Sequence, residues 1–269
     1  MQYFFKNLII YFKYKNSYKK DIIIDNCFSL AVNYILIVLN GVSLMKKSIF
    51  VAGTSTDIGK TFVTALLVKY LRDNNINAGY FKPVLSGAEV IDDELVPGDA
   101  KYVCDIAGIK TKPRNLVSYV FKTAVSPHLA AQIEKVTISL DKIQTDFNTL
   151  KSKYNFLVVE GCGGLVCQIS TEKNNEIFLT DIIKSLNTDV ILVTSSLLGT
   201  INSTVLTVEY AKKFNIKIKG IVMNFYDKNN FMHIDNKKQI EYLTGIPVIA
   251  TVENNAKEIF IQKNFFEEM

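Results

Sequence analysis

From residue 45 onward the chain alternates between short apolar runs and longer stretches whose apolar residues recur at helical spacing. The runs are SIFVAG (48–53), AGYFKPV (78–84), LVSYVF (116–121), FLVVEG (156–161), DVILVT (189–194), IKGIVMN (218–224) and IPVIATV (246–252). Several are nearly unbroken Val, Ile and Leu, as in strands buried on both faces of a parallel sheet; half-exposed strands would alternate apolar and polar. Between them the spacing predicts helices over 60–73, 126–134, 139–152, 200–214 and 236–243. Strand and helix in alternation make βαβ units, so the predicted fold class is α/β: a doubly wound, mostly parallel sheet of about seven strands flanked by helices. No internal repeat or long linker interrupts 45–269, which reads as a single domain. Ligands of such sheets bind beyond the carboxyl ends of the strands, and the polar residues found there are the candidates for chemistry.

Residues 1–44 do not share this pattern. They mix Tyr, Lys, Asn, Ile and Phe without a settled period. Their longest apolar run, 27–39, includes Asn33 and falls short of the roughly 20 residues a membrane helix needs. The small-residue cleavage site of a signal peptide is missing, and no stable membrane association is expected. Met45 opens MKKSIFVAGTS, a natural start for the first strand. The residues before it have the composition of A+T-rich DNA translated without selection. Residues 1–44 therefore read as an extension, either disordered or translated upstream sequence, ahead of a working protein that starts at Met45.

Composition adds little beyond a globular class, with 48% hydrophobic and 21% charged residues. The formal charge is +5, but residues 1–44 contribute five Lys against two Asp, so most of the excess lies in the extension. That balance gives no reason to invoke nucleic acid. The cysteines, Cys27, Cys104, Cys162 and Cys167, include no C-x-x-C pair, and the only histidines are His128 and His233. This points away from a zinc site and toward free thiols in a reducing, cytoplasmic setting.

The first strand runs into VAGTSTDIGKT (51–61), a phosphate-binding loop with one residue more than the usual G-x-x-x-x-G-K-[ST]. Backbone amides of Thr56, Asp57, Ile58 and Gly59 and the following helix N-terminus would hold phosphate oxygens. Lys60 would supply charge to the terminal phosphates, and the Thr61 hydroxyl would ligate Mg²⁺. Lys82, at the end of the second run, is either a solvated edge lysine or a cation aimed into the phosphate cleft, with Ser86 adding a hydroxyl. Asp99 opens a helix, as an N-cap does, and is equally placed to bind metal. FLVVEGCGG ends a buried strand in an acid, and Glu160 there would complete a magnesium sphere with Thr61 and Asp99. His128 in SPH reads as a helix residue. Gly199, Thr200, Ile201 and Asn202 open a helix whose free amides suit a carboxylate. Asn224 is either a turn residue or a reader of a purine edge.

Taken in order, GTSTDIGKT, AGYFKPVLSG, SPH, VVEGCGG, LGTIN and MN resemble the dethiobiotin synthetase family over about residues 46–252, and the longer loop is that family's form. The resemblance implies a P-loop NTPase fold and a homodimer that binds ATP, Mg²⁺ and 7,8-diaminononanoate. It also implies a cyclo-ligase reaction with CO2 that forms carbon–nitrogen bonds through a carbamate and a carbamic–phosphoric anhydride. Lys60, Lys82 and Ser86 would be the catalytic residues, with Ser86 near the carbamate. Gly199–Asn202 of the partner subunit would receive the substrate carboxylate, and Asn224 would contact adenine. The sequence departs from the pattern at Cys162, where alanine is commoner, and at Leu197, where some members carry a basic residue. The adenine side after Pro247 diverges, and residues 1–44 have no counterpart. Two other readings compete: a partition-type switch ATPase, which would carry an early lysine where Thr54, Ser55 and Thr56 stand, and a silent binding module, which would not need Lys82, Asp99 and Glu160 together. The glutaminase domain of related amidases is not present.

Overall fold

The computed structural model describes residues 47–173, 175–262 and 265–266; the extension read at 1–44 lies outside the described residues. Seven parallel strands form the central sheet: β1 (Lys47–Gly53), β2 (Ala78–Ser86), β5 (Val117–Phe121), β6 (Phe156–Glu160), β9 (Asp189–Ser195), β10 (Ile218–Asn224) and β11 (Val248–Val252). Their spatial order is β11-β10-β9-β1-β6-β2-β5. Ile49, Phe50, Val51 and Ala52 of β1 are fully buried, as are Leu157, Val158 and Val159 of β6. Burial of both inward and outward positions is the reason these runs do not alternate.

The chain leaves β1 toward β2 and β5 on one side, returns to β6, and then crosses to β9 on the other. The crevice for a ligand therefore opens at the carboxyl ends of β1, β6 and β9, where the winding reverses. Helices cover the faces: α1 (Lys60–Asp73), α2 (Gly98–Ala107), α3 (Pro127–Glu134), α4 (Leu140–Lys151), α5 (Leu179–Leu186), α6 (Thr200–Lys213) and α7 (Phe231–Thr244). Two antiparallel hairpins stand apart from the sheet, β3 (Glu89–Ile91) with β4 (Glu94–Val96), and β7 (Gln168–Glu172) with β8 (Asn175–Phe178).

The expected strands all form. The helix expected at 236–243 begins earlier, at Phe231, because the Asn230 side chain caps it by accepting from the Met232 amide at 3.0 Å. Helix α5 and both hairpins were not anticipated. Among the described residues no helix is long and apolar enough to cross a membrane.

Candidate active site

Where β1 ends, the chain turns into α1 through the glycine-rich loop. Gly59 precedes α1 with φ 81°, and no side chain caps the helix, which leaves its first amides to a ligand. Glycine is needed at 59 on two counts. The left-handed backbone disfavours a side chain, and any Cβ there would collide with the Asn224 amide. That amide donates from Nδ2 to the Ile58 carbonyl at 2.9 Å and so braces the loop from β10. Asn224 is 1% exposed, and its buried Oδ1 finds no partner among the described residues. An orphaned buried acceptor calls for a donor, which a bare turn residue would not. On its other side the loop is anchored by the Thr54 amide donating to Val193 O at 3.1 Å. A hydroxyl cluster then links it to α6, with Thr194 Oγ1 2.9 Å from Thr200 Oγ1 and 2.8 Å from Thr204 Oγ1.

Parallel register brings the charged residues together. Phe81 lies opposite Val159, so Lys82, midway along β2, comes level with Glu160 at the carboxyl end of β6. Lys82 Nζ sits 2.7 Å from Glu160 Oε1 and 2.5 Å from Asp99 Oδ2, and Thr61 donates to Glu160 Oε1 at 2.7 Å. Glu160 is 0% exposed and Lys82 4%, so the solvated-lysine reading of Lys82 does not hold. Lys60 curls back and donates to the Ser55 carbonyl at 2.7 Å. These groups border a cavity of about 300 Å³, with Thr56, Asp57 and Gly59 on the loop side and Val84, Leu85 and Ser86 on the β2 side. Cys162 and Gly163 complete its wall.

Burial by itself would push the Lys82 ammonium toward neutrality, but the Glu160 and Asp99 carboxylates override it and raise its pKa above the lysine range. Asp99 mirrors this: burial would raise it, while Lys82 and the Thr61 hydroxyl hold it below the usual carboxylate range. Lys60 is lowered, first by burial and then by the like charge of Lys82. Lys82 is thus a fixed cation, unsuited to accepting a proton.

The oxygen set of Thr61, Asp99 and Glu160 fits magnesium. All three donors are hard, and two carboxylates with a hydroxyl leave room for waters and phosphate oxygens, as Mg²⁺ prefers. Among the described residues no group of three or more His, Cys, Asp and Glu side chains gathers as a softer or all-protein metal cage would require.

Other expected residues are placed less directly. The Ser86 hydroxyl borders the cavity and donates to the Val125 carbonyl at 2.6 Å. His128 approaches the Gln168 carbonyl at 3.3 Å and is not on the cavity wall. Gly199, Thr200, Ile201 and Asn202 do not line this cavity either. The Thr200 hydroxyl turns inward, 3% exposed, to the Ser195 carbonyl and the Thr194 cluster.

One participant was missed. Tyr80, fully buried on β2, donates its hydroxyl to Glu160 Oε2 at 2.9 Å. Burial, and next the Glu160 charge, raise its pKa well above the tyrosine range, so the phenol stays a donor. The available signal was spacing: residues 80 and 82 are two apart and share one face of the strand.

The chain is similar to known proteins over most of its length. A family model described as an AAA domain matches residues 47–259. The chain is 53% identical over 217 residues to the ATP-dependent dethiobiotin synthetase BioD of Clostridium botulinum (strain Alaska E43 / Type E3), covering 81% of this chain and 95% of that protein. It is 49% identical over 228 residues to the protein of the same name from C. botulinum (strain Loch Maree / Type A3), covering 84% of this chain and all of that one. Among solved structures, a ParA family ATPase from Chlorobium tepidum TLS aligns with TM-score 0.48 and 13% identity, over 78% of this chain and 85% of the other.

Proposed function

This chain belongs to the ATP-dependent dethiobiotin synthetase family and is an ATP-dependent ligase, and we propose that it closes the ureido ring of dethiobiotin from 7,8-diaminononanoate, CO2 and ATP in the cleft at the end of β1. The observation that carries this reading is the convergence of Lys82, Asp99, Glu160 and Thr61 at the mouth of the phosphate-binding loop.

One substrate amine adds to CO2 to give a carbamate. A carbamate oxygen attacks the γ-phosphorus and ADP leaves. The second amine then attacks the carbonyl carbon of the mixed anhydride, expelling phosphate and closing the ring. The carbamate, ATP and the mixed anhydride are all anionic, and the chain supplies two cations. Lys60, freed from the Ser55 carbonyl, neutralises the terminal phosphates. Lys82, held charged, stabilises the carbamate and the charge on the transferring phosphoryl group; a preorganised donor of this kind is worth about 3 kcal/mol in the transition state. Ser86 lies beside the same space and orients the carbamate. Thr56, Asp57, Ile58 and Gly59 hold the phosphates through their backbone.

Thr61, Asp99 and Glu160 would hold Mg²⁺, which would supply positive charge to the transferring phosphates. Asn224 Oδ1 would accept from the adenine amino group, which supports ATP as the nucleotide. Gly199–Asn202 we assign to the substrate site of a second copy in a homodimer. Leu197, Leu198 and Leu206, exposed at the start of α6, support an apolar contact there.

The mechanism is testable by isotope. Phosphate released in a rapid single turnover with ¹⁸O-labelled CO2 should carry one labelled oxygen, passed on through the anhydride. Unlabelled phosphate formed alongside dethiobiotin would mean that the carbamate is never phosphorylated.

A further inference from the structure

The cavity wall carries a pair of thiols that the ring-closing chemistry does not use. Cys162 and Cys167 face each other with their sulfurs 4.0 Å apart, both half-buried, whereas Cys104 is buried elsewhere. Gly163 follows Cys162 with φ 61°, and a Cβ there would stand 3.3 Å from Cys167 Sγ. A side chain at 163 would crowd Cys167 on a backbone that disfavours one. Cys162 borders the cavity itself, so a small oxidant entering it meets this thiol directly.

We propose that Cys162 and Cys167 form a reversible disulfide that shuts down nucleotide binding in the adjoining cleft. With hydrogen peroxide as oxidant, the Cys162 sulfur attacks one peroxide oxygen. The O–O bond breaks, water leaves, and a sulfenic acid remains. The Cys167 sulfur then attacks the sulfenic sulfur, the S–O bond breaks and a second water leaves. Two thiols and one hydrogen peroxide thus give one disulfide and two waters, the two electrons passing from sulfur to peroxide. A thiol reductant reverses the bond by exchange.

The link from disulfide to cleft is mechanical. Bonding requires the sulfurs to close from 4.0 Å to about 2.05 Å. The loop cannot move as a body to allow this. Its Gly161 amide is tied to Val51 O and its Leu165 amide to Gly53 O, both at 3.0 Å. Cys167 is held in turn, its carbonyl accepting from the Leu179 amide at 2.8 Å, so the change is taken up at Cys162, Gly163 and Gly164. Gly164 lies directly against the Thr54 carbonyl. Displacement there presses on Thr54 and Ser55 and so on the phosphate-binding loop, whose next residues Thr56, Asp57 and Gly59 line the cavity.

The test uses the full-length protein treated with hydrogen peroxide, differential alkylation with peptide mass spectrometry, and ADP binding by calorimetry. ADP affinity reads the cleft without depending on the ligase reaction. The expected result is a Cys162–Cys167 linked peptide lighter by two hydrogens, a loss of ADP affinity of roughly tenfold or more for an ångström-scale displacement, and recovery with dithiothreitol. Cys167→Ser should bind ADP normally, form no such link, and show no loss that dithiothreitol reverses. Failure of the link to form would overturn the proposal. So would a link that leaves ADP affinity unchanged, or the same reversible loss in Cys167→Ser.

Discussion

Lys82 Nζ lies 2.7 Å from Glu160 Oε1, a buried ion pair between neighbouring strands at the point where the sheet opens to its ligand. Asp99 closes on the same ammonium from α2, so one lysine bridges the two carboxylates that would hold magnesium. An ion taking those oxygens shares them with the ammonium. On the proposed chemistry, magnesium affinity, phosphoryl transfer and the stability of the site would be coupled through Lys82.

Lys82→Ala and Lys60→Ala should fail differently. The first removes a cation whose proposed partner is the carbamate, so turnover should fall about a hundredfold or more while ADP affinity stays within roughly threefold. The second should abolish turnover and weaken ADP binding together. Steady-state rates with calorimetric affinities separate the two cases, and equal loss of affinity would remove the role given to Lys82.

Glu160→Gln should destabilise the protein. Breaking one partner of a buried pair costs about 3–5 kcal/mol because the other charge stays buried, although Asp99 remains to offset part of that for Lys82. Urea denaturation should show a lower midpoint with an unchanged slope. An unchanged midpoint would mean that the pair is already open to solvent.

Tyr80→Phe should act through Glu160. The lost hydrogen bond to a buried carboxylate is worth about 1.5–3 kcal/mol of stability. With Glu160 less firmly oriented, the magnesium concentration for half-maximal rate should rise several-fold, while the rate at saturating magnesium is largely kept. A stability loss with no change in the magnesium requirement would limit Tyr80 to packing.

ADP affinity without magnesium should fall on the alkaline side earlier than an ordinary lysine would dictate. Burial and the Lys82 charge lower the Lys60 pKa from 10.5, and bound phosphate favours its charged form. Affinity is then full at neutral pH and declines as pH rises through the lowered value, before 10.5 is reached. Calorimetry across that range checks this, and a flat profile up to 10.5 would contradict it.

Much of this was legible in the sequence because parallel strands buried on both faces leave unbroken runs of Val, Ile and Leu, and because a phosphate-binding loop fixes where α1 starts. Helix α1 spans 60–73 as expected. Asp99 and Glu160 were legible as acids at element ends. What could not be read was contact across the chain: Tyr80 reads as ordinary strand core, and its bond to Glu160 joins residues 80 positions apart. Helix α5 begins immediately after β8 with no intervening turn residue; its signal was Asp181, which accepts from the Phe178 amide at 2.8 Å. The hairpin strands β3 and β4 are three residues each and mostly exposed, too short to show a period.

The most direct test incubates the protein with magnesium-ATP, bicarbonate and 7,8-diaminononanoate and follows phosphate together with product mass. Dethiobiotin formed one-for-one with phosphate, and only when the diamine is present, is the predicted result. Phosphate released equally fast without the diamine would contradict the ligase assignment.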